Sequence, residues 1–520
     1  MDALMTALQK PALYDHPVDS FRLIETHISR VLLTGSYAYK FKKPVNFGFL
    51  NFSTLEKRKY YCEEELRLNK RLAASLYLDI VTITGTQEHP QINGDGPALE
   101  YAVRMKEFPQ QAQLDRLLAQ GKLLPEHIDA IASVVARFHQ QTTVADHNSV
   151  FGSANAIQQP VHENFCQIQQ LLESEDDRTK LNTLKTWSDN EFAKLTDDFA
   201  SRKDNGFVRE CHGDMHLRNI ALVNSEVLIF DCIEFSDELR WVDVISEIAF
   251  LVMDLHARDQ SELAARFINR YLELTGDYAG LKVLRYYLVY RAMVRAKVDM
   301  IRAQQPDLPA NEKEQVLNEF RHYLDLALQY TTPKAQYLLI THGLSGSGKT
   351  FFTQQLLEME NAIRIRSDIE RKRIFSSVTD NNTNIYSSVA TEQTYQTLLD
   401  IAAAVLQAHW PVFVDATFID KKHRDMFQAL ALELRLPFII LEFSASEEIL
   451  RERITARIAR HDDASDATLE VLNSQLSHWQ DLSASENRFA LAADSSNPAQ
   501  FRAGLRHMLD KPPDLSTTHV

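Results

Sequence analysis

The sequence predicts a two-domain chain, in which an α+β domain is followed by an α/β domain. At 520 residues the chain is too long for one core. Near the amino terminus a pair of strands precedes long stretches of helical periodicity, whereas from residue 336 apolar strands alternate with helical stretches. Alternation of this second kind is typical of a parallel sheet. The sequence TTPKA at 331–335 interrupts the helical pattern, so we expect domains at 1–330 and 336–510 and a disordered tail at 511–520.

The composition argues against several classes of protein. No run of 18 apolar residues occurs, so we expect no membrane span. The net charge of −15 argues against extended, non-specific nucleic-acid binding, which requires a basic face. The first residues, MDALMTALQKPALYDHPVDS, contain an early acid and no long apolar core, so we expect no signal peptide. The cysteines form no CxxC pair, which fits a reducing cytoplasm rather than a disulfide framework or zinc site: Cys62, Cys166, Cys211 and Cys232.

The elements of the first domain follow from its hydrophobic pattern. We expect, in chain order, a hairpin at 29–50, a helix from Ser53, a strand at 98–108, helices over 111–200, short strands with polar turns at 207–235 and long helices over 241–330. The polar turns at 207–235 are where functional side chains are concentrated.

The stretch HGDMHLRN at 212–219 has the spacing of a phosphotransfer loop. In such a loop Asp214 accepts the proton of an attacking hydroxyl, and Asn219 coordinates Mg²⁺. Asp231 follows twelve residues later, after the short apolar strand VLIF, where a second metal-binding acid is expected. The competing interpretation is a polar turn followed by an unrelated aspartate at a strand end.

A phosphotransfer site of this kind also needs a strand lysine on the nucleotide phosphates and a helix glutamate that orients it. The sequence YAYK places Lys40 in that position. Lys42 is the rival candidate, because its side chain points to the same face of the strand as that of Lys40. Glu65 lies beside the buried face of the next helix and is the expected partner, whereas Glu63 and Glu64 point elsewhere. The alternative is that these are surface charges.

Taken together, residues 20–330 resemble the aminoglycoside/choline phosphotransferase family, which has a bilobal, protein-kinase-like fold. The resemblance implies that Asp214 is the catalytic base and that Asn219 and Asp231 bind metal. It also implies a scaffold role for His212, a structural role for Asp243, and an adenine-binding hinge at MKEF. The sequence departs from the family at the glycine-rich loop, reduced to Gly35, and after Asp231, where Cys-Ile-Glu replaces Phe-Gly.

The stretch GLSGSGKT at 343–350 matches G-x-x-x-x-G-K-[ST], a phosphate-binding loop. An apolar strand precedes it and an amphipathic helix follows it, which is the context that the motif requires. Glycines let the backbone approach phosphates, Lys349 reaches the β- and γ-phosphates, and the Thr350 hydroxyl can bind Mg²⁺. The residues expected to contact nucleotide are Gly343, Ser345, Gly346, Ser347, Gly348, Lys349 and Thr350.

Two aspartates complete the second candidate site. Asp415 ends the strand VFVD, where an acid can hold the Mg²⁺ shell, although a solvated aspartate is the alternative. In RSDIERKR, Asp368 could accept the proton of a substrate hydroxyl while Arg366 or Arg371 holds the substrate. The competing interpretation is that Asp368 caps a helix.

Three arginines share one helix face at i, i+4 and i+7: Arg453, Arg457 and Arg460. They could close as a lid on the transferred phosphate, or form a solvated stripe. Residues 336–500 resemble the small P-loop kinases of the gluconate-kinase, polynucleotide-5′-kinase and zeta-toxin-like group. That resemblance implies that Asp368 is the catalytic base and that the lid includes Arg457, together with Arg453 and Arg460.

The whole chain resembles bacterial fusions of an aminoglycoside-phosphotransferase-like domain with a P-loop kinase. The resemblance implies that each domain transfers the γ-phosphate of ATP, with Mg²⁺, to a hydroxyl of a small molecule. One alternative is a single catalytic domain regulated by ATP binding or hydrolysis in the other. Another is a P-loop domain that acts on a nucleotide sugar or a nucleic-acid 5′-hydroxyl. The sequence is silent on the oligomeric state.

Overall fold

The structure is a computed structural model that describes most of the chain. In it the chain forms two compact units. The described residues are 2–48, 50–306, 308–376, 385, 387–460, 468–493 and 498–513. The first unit contains Met1–Arg258 and Tyr286–Ala327, and the second contains Asp259–Arg285 and Leu328–Val520. The backbone therefore crosses from one unit to the other three times.

The first unit contains a six-stranded antiparallel sheet with the strand order β1-β2-β3-β6-β4-β5. Its strands are β1 (Arg22–Glu25), β2 (Ser29–Leu33), β3 (Tyr37–Lys42), β4 (Tyr77–Gly85), β5 (Pro90–Ile92) and β6 (Glu100–Lys106). The antiparallel pairing of β2 with β3 confirms the predicted hairpin. Successive residues of β6, Ala102 and Val103, pack into separate apolar clusters, as the two-residue period of a strand requires.

Two helices cover this sheet. The short helix α1 (Asp2–Ala7) packs against the cluster that contains Ala102. Helix α2 (Leu55–Ala73) packs against the cluster that contains Val103, and the side chain of Thr54 caps its first turn by accepting a hydrogen bond from the Lys57 amide. Helix α2 packs against β4 and β6, and Glu65 on its buried face reaches Lys40 of the adjacent strand β3.

The rest of the first unit is mainly helical. Its helices are α3 (Leu114–Ala119), α4 (Pro125–Gln141), α5 (Ala154–Leu171), α6 (Glu175–Asp204), α7 (Asp237–Arg240) and α8 (Val244–His256). Two small antiparallel pairs join β7 (Val208–Glu210) to β10 (Trp241–Asp243) and β8 (Ile220–Val223) to β9 (Glu226–Ile229). Helix α9 (Ser261–Thr275) belongs to the second unit, whereas most of α10 (Leu281–Ala303) and of α11 (Ala310–Thr331) belongs to the first.

The second unit contains a five-stranded, all-parallel sheet with the order β12-β13-β11-β14-β15. Its strands are β11 (Leu338–His342), β12 (Ile363–Arg366), β13 (Val412–Asp415), β14 (Phe438–Glu442) and β15 (Ala490–Ala492). The three central strands are buried along most of their length, which explains their continuous apolar sequences. They correspond to the apolar stretches from which the parallel sheet is predicted, and the prediction is confirmed.

Helices flank the parallel sheet along the chain. They are α12 (Lys349–Glu360), α13 (Ser367–Phe375), α14 (Ser388–Gln407), α15 (Lys421–Leu434), α16 (Glu447–Arg460), α17 (Leu469–Ser477) and α18 (Pro498–Asp510). No helix among the described residues is both long enough and apolar enough to cross a membrane. Most of the predicted tail, residues 514–520, lies outside the described residues.

Candidate active sites

In the first unit, Lys40 lies between two carboxylates contributed by distant parts of the chain. Its Nζ atom is 2.7 Å from Oε1 of Glu65 on α2 and 2.5 Å from Oδ1 of Asp231, which follows β9. The Glu65 side chain is fully buried, and its second oxygen accepts a hydrogen bond from Nζ of Lys42 at 2.7 Å. The fold therefore brings together the predicted phosphate lysine, its predicted glutamate and one predicted metal ligand.

Opposing effects set the charge of this cluster. Burial raises the pKa of the Glu65 carboxyl, but Lys40 and Lys42 together lower that pKa to about 2. Burial lowers the pKa of Lys40, but Asp231 and Glu65 raise it well above its ordinary value. Both lysine and carboxylate are therefore charged at neutral pH, as an amine that holds phosphates must be.

The structure distinguishes the two rival lysines by their surroundings. The side chain of Lys42 is only 1% exposed and is enclosed by Glu65 and Glu234. Lys40 is 12% exposed and faces Asp231, whose side chain is about half exposed. This arrangement favours Lys40 as the residue that reaches the phosphates. The sequence analysis did not predict that Glu234 pairs with Lys42. Its position three residues after Asp231 could have pointed to it.

The neighbouring glutamates of α2 point away from this cluster, as the helical period requires. Glu63 is about half exposed and lies 3.8 Å from Nζ of Lys59, one turn earlier on the same helix. Glu64 pairs with Arg67 at 2.8 Å. Glu65 alone among the three faces Lys40.

The loop at 212–219 holds Asp214 beside Asn219. The Asn219 amide donates to Oδ2 of Asp214 at 2.9 Å and to the Asp214 carbonyl at 3.0 Å. Burial raises the pKa of Asp214, but nearby His216, 3.4 Å away, lowers it below the usual range. The carboxylate is therefore ionised at neutral pH and can accept a proton from a hydroxyl.

Backbone hydrogen bonds place Asp231 beside this loop. The Phe230 amide donates to the Asn219 carbonyl at 2.9 Å, and the Ile233 amide donates to the His212 carbonyl at 3.1 Å. The His212 ring contacts the Phe230 carbonyl through Nε2 at 2.9 Å, which supports the scaffold role implied for this histidine. Asp231 itself has a φ of +64°, a left-handed conformation that is uncommon for residues other than glycine and is enriched at functional sites.

A buried glutamate that the sequence analysis missed anchors the loop at 212–219. Oε1 of Glu247, on α8, accepts hydrogen bonds from the amides of His212 at 2.6 Å and Gly213 at 2.7 Å. Its Oε2 lies 2.8 Å from Nε2 of the buried His139. The signal was present, because a single acid interrupts the apolar sequence VISEIAFLVM. Gly213 has a φ of +89°, and a Cβ atom there would lie 2.8 Å from the Leu239 carbonyl oxygen.

Asp243, implied by resemblance to be a structural aspartate, has a different set of contacts. It forms a two-pronged ion pair with Arg202 at 2.6 and 2.9 Å. It also caps α8 by accepting a hydrogen bond from the Ile245 amide at 2.8 Å. Asp243 thus fixes the start of α8, whereas Glu247 fixes the loop at 212–219.

In the second unit, the phosphate-binding loop joins β11 to α12. Gly346 and Gly348 have φ values of +86° and +96°, which residues with a side chain rarely adopt. The loop leads into the amino terminus of α12, where backbone amides and the helix dipole favour an anion. Nζ of Lys349 donates to the carbonyls of Gly343 and Leu344, each at 2.9 Å.

The oxygen atoms suited to a cation lie next to this loop. Asp415 ends β13 and is buried, and its Oδ2 accepts a hydrogen bond from Oγ1 of Thr353 at 3.3 Å. Thr353 lies one turn after Thr350 on α12. Carboxylate, hydroxyl and amide oxygens are the ligands that Mg²⁺ prefers. This donor chemistry fits the ion at Thr350 and Asp415, and in the first unit at Asn219 and Asp231.

A cavity of about 1160 Å³ opens beside the loop. Its lining includes residues from every predicted part of the second site: Ser345, Gly346, Gly348, Lys349, Thr350, Arg366, Asp368, Arg371, Asp415 and Arg453. Helix α13 begins at Ser367 with Arg366 in the cap position, so Asp368 is not the cap residue. The structure therefore places Asp368 and Lys349 on one cavity.

The predicted lid is described only in part. Nη1 of Arg453 donates to the Gly346 carbonyl at 3.2 Å, which brings the first lid arginine onto the phosphate-binding loop. The side chains of Arg457 and Arg460 lie outside the described part of the structure. Arg371 donates from Nη1 to the Ile385 carbonyl at 2.7 Å.

Two contacts of the loop region are absent from the sequence analysis. Gln475 on α17 accepts from the Ser345 amide at 2.9 Å and donates to Ser345 Oγ at 3.0 Å. His342, which ends β11, is buried and stacks on Trp479 with ring centroids 4.3 Å apart. Burial lowers the pKa of His342 to about 4, and nearby Arg424 acts in the same direction. The ring next to the loop is therefore neutral at physiological pH.

Family models match two stretches of the chain. The model of the phosphotransferase enzyme family matches residues 54–284. The model of an AAA domain matches residues 338–482. Each match contains the residues that form one of the two candidate sites, apart from the strand that carries Lys40 and Lys42.

Comparison with whole proteins finds relatives of similar length. Uncharacterized proteins of Mycobacterium tuberculosis and Mycobacterium bovis are 29% identical over 473 residues, which is 89% of this chain and 92% of each relative. A solved amicoumacin kinase, in complex with AMP-PNP and Ca²⁺, is 15% identical and covers 62% of this chain and 93% of its own, with a TM-score of 0.39. A solved gluconokinase from Sinorhizobium meliloti is 19% identical and covers 34% of this chain and 95% of its own, with a TM-score of 0.26.

Proposed function

We propose that this chain, which matches the model of the phosphotransferase enzyme family over residues 54–284 and that of an AAA domain over residues 338–482, has two ATP-dependent kinase sites. Each site transfers the γ-phosphate of ATP to a hydroxyl group of a small molecule. The observation that carries the proposal is the meeting of Lys40, Glu65 and Asp231 beside the loop that holds Asp214 and Asn219.

In the first unit, Asp214 is the proposed general base. It accepts the proton of the acceptor hydroxyl as the oxygen attacks the γ-phosphorus. A new oxygen–phosphorus bond forms, the bond to the β-phosphate oxygen breaks, and ADP leaves with that oxygen. Lys40 holds the α- and β-phosphates, and Glu65 keeps its amine in place through the 2.7 Å ion pair.

In the second unit, the same bond exchange is proposed with a different set of residues. The loop amides and Lys349 hold the β- and γ-phosphates, and Asp368 accepts the proton of the acceptor hydroxyl. Arg453 and Arg457 are proposed to neutralise charge on the transferred group. A cavity of about 1160 Å³ has room for a nucleotide and a small acceptor together.

Mg²⁺ is the proposed cofactor of both sites. When bound, it would neutralise negative charge on the phosphates. Asn219 and Asp231 would hold it in the first unit, and Thr350 and Asp415 in the second. The residues of the chain bind and orient the phosphates and move the proton, and the ion supplies positive charge.

The experiment that tests this proposal measures ADP release from ATP in the presence of a small-molecule cell extract. The proteins compared are the intact chain, Asp214→Ala and Lys349→Ala, with Asp197→Ala and Lys511→Ala as exposed controls outside both sites. We expect each site variant to remove a separate part of the extract-dependent signal and both controls to retain all of it. Mass spectrometry of the products then identifies the phosphorylated compounds.

The alternatives give different results in the same assay. If Asp214→Ala abolishes all release while Lys349→Ala only shifts its ATP dependence, the second unit is a nucleotide sensor and the two-kinase proposal is wrong. If neither variant changes the signal, neither unit is the kinase. A salt-sensitive gel shift with short single strands would identify a nucleic-acid acceptor, which the net charge of −15 argues against.

A further inference from the structure

Helix α9 belongs to the unit of the phosphate-binding loop, although it lies within the residues matched by the phosphotransferase family model. It packs against α12, which begins at the loop, and against β12. Strand β12 is an edge strand of the parallel sheet, with an unpaired row of backbone groups that needs cover. Helix α9 therefore covers the edge of the sheet beside the nucleotide site.

An asparagine of α9 bonds directly to the backbone of this edge. The Asn269 amide donates to the Ala362 carbonyl at 2.8 Å, and its oxygen accepts from the Arg364 amide at 2.7 Å. Asn269 is buried, so these bonds are shielded from water. The side chain thus replaces the missing neighbour strand at the Ala362 carbonyl and the Arg364 amide and ties α9 to the start of β12.

One turn further along α9, Glu273 meets Arg364 in a buried ion pair. Oε1 of Glu273 is 2.8 Å from Nη2 of Arg364, and the two residues are 6% and 3% exposed. A buried guanidinium requires such a partner, because an unpaired charge there is strongly unfavourable. Glu273 therefore supplies the counter-charge that holds the Arg364 guanidinium, and Gln354 Oε1 accepts from the same Nη2 at 2.9 Å.

Arg364 carries this constraint to the nucleotide-binding helix. Its Nη1 donates to the carbonyl of Thr350 at 3.2 Å and contacts Oγ1 of Thr353 at 3.4 Å. Thr353 in turn donates to Asp415 at 3.3 Å. A continuous set of hydrogen bonds thus runs from Glu273 to the first turn of α12 and to the aspartate proposed to bind Mg²⁺.

We propose that Glu273 is a positioning residue of the phosphate-binding site and acts through Arg364 on Thr350 and Asp415. The inference deepens the proposed function and rests on it only in requiring that the second unit binds Mg²⁺–ATP. Mg²⁺–ATP affinity at this site therefore depends on a residue that the sequence assigns to the first domain.

The test is binding of a fluorescent ATP analogue, with and without Mg²⁺, to the full chain. The second-unit component is defined as the part that Lys349→Ala removes. We expect Glu273→Gln, which keeps an oxygen but loses the charge, to weaken Mg²⁺-dependent binding of that component by about tenfold. Glu262→Gln, an exposed change on the same helix, is the matched control and should leave binding unchanged.

A double variant separates positioning from stability. Glu273→Leu with Arg364→Met removes both charges, so it avoids the unpaired buried cation and should restore the melting temperature lost in Glu273→Leu alone. It also removes the donor to the Thr350 carbonyl, so we expect weak binding to persist in a stable protein. Affinity that recovers together with stability would show a purely structural role and overturn the inference.

The failure of this inference is distinct from the failure of the proposed function. If Lys349→Ala removes binding but Glu273→Gln binds as the unmodified chain does, the inference alone is wrong. If Lys349→Ala removes no binding, the proposed nucleotide site of the second unit is wrong, and the inference with it.

Discussion

The two proposed phosphate lysines are held in opposite ways. Lys40 is held by the side chains of Glu65 and of Asp231, the latter 191 residues away along the chain. Lys349 is held by two backbone carbonyls of its own loop, five and six residues earlier. The contacts of Lys40 form only after the whole unit has folded, whereas those of Lys349 lie within eight consecutive residues.

Because of this difference, the two sites should tolerate different substitutions. A carboxylate partner can be removed by a single mutation, and its loss takes away part of the counter-charge of a buried cation. A carbonyl partner is present whatever side chain its residue carries. We therefore expect substitutions at several positions far apart in sequence to disturb the first site. We expect those that disturb the second site to lie mainly within its own motif.

The largest expected effect comes from removing the lysines themselves. Lys40→Met and Lys349→Met should each lower phosphoryl transfer in their own unit by ~10²–10³-fold, because each removes a positive charge from the transferred phosphates. The measurement is steady-state ADP release with the acceptors identified from the extract. Each variant should leave the activity of the other unit intact.

A third substitution in the same assay tests the choice between the rival lysines. Lys42→Met should mainly raise KM for ATP, since Lys42 is enclosed by Glu65 and Glu234 and would act on the phosphates only indirectly, through the Glu65 that it shares with Lys40. If it reduces kcat as strongly as Lys40→Met does, the assignment of Lys40 is reversed.

The next effect concerns stability, and it belongs to the first site alone. Glu65→Gln should lower the free energy of unfolding by about 3 kcal/mol, because two buried lysines lose their shared carboxylate. Urea denaturation measures this change. Glu63→Gln, which breaks only an exposed pair on the same helix, should change stability by less than about 1 kcal/mol.

The same carboxylate gives a pH dependence with a defined sign. The pKa of Glu65 is lowered to about 2 in the fold, from an ordinary value of 4.5. Its contribution to stability is therefore present above about pH 4.5 and is lost as the pH falls towards about 2. Glu65→Gln should remove that part of the acid sensitivity, and an unchanged acid profile would contradict the ion-pair assignment.

A smaller effect tests whether the first site also depends on distant side chains for its catalytic loop. Glu247→Gln should lower kcat of the first unit about tenfold, because the anion that holds the His212 and Gly213 amides is lost. KM for ATP should change little, since Glu247 does not contact the lysine cluster. Glu173→Gln, an exposed change, serves as the control. Equal loss of kcat and of ATP affinity would show a general disruption instead.

The smallest expected effect lies in the second unit. Burial lowers the pKa of His342 to about 4 in the folded chain. In the unfolded chain the ring is protonated near its ordinary pKa of 6.5, whereas in the folded chain it is still neutral at that pH. Stability from this group is present above that pH and falls by about 1 kcal/mol between about pH 7.5 and about pH 5.5.

Denaturation at these two pH values measures the His342 effect. His342→Asn should remove that part of the pH dependence, whereas the exposed His507→Asn should not. Retention of the full pH dependence in His342→Asn would show that another group is responsible.

The same contrast explains how far the sequence could predict each site. The phosphate-binding loop can be predicted residue by residue because its glycines, lysine and threonine all lie within eight consecutive residues. Asp214, Asn219 and Asp231 were predicted from their spacing along one hairpin. The choice between Lys40 and Lys42 remained open, because both point to one face of β3 and only tertiary contacts distinguish them.

The missed residues share one property, which is that their partners lie far away in sequence. Glu234, Glu247 and Glu273 each neutralise or anchor a group on another element, and a charged residue in sequence is usually solvent-exposed. Strand β12 was missed for a related reason. It reads Ile-Arg-Ile-Arg, and Arg364 can be buried because α9 and α12 supply acceptors for its guanidinium.

The three backbone crossings between the units constrain how such a chain can be made and inherited. During synthesis α9 emerges before the first unit is complete and before the sheet that it covers has been translated. A gene divided at 331–335 would encode a rear product without Asn269 and Glu273, leaving β12 uncovered and Arg364 without its carboxylate. The two halves are therefore expected to remain together as one gene, held by the need of one sheet for a helix encoded far upstream.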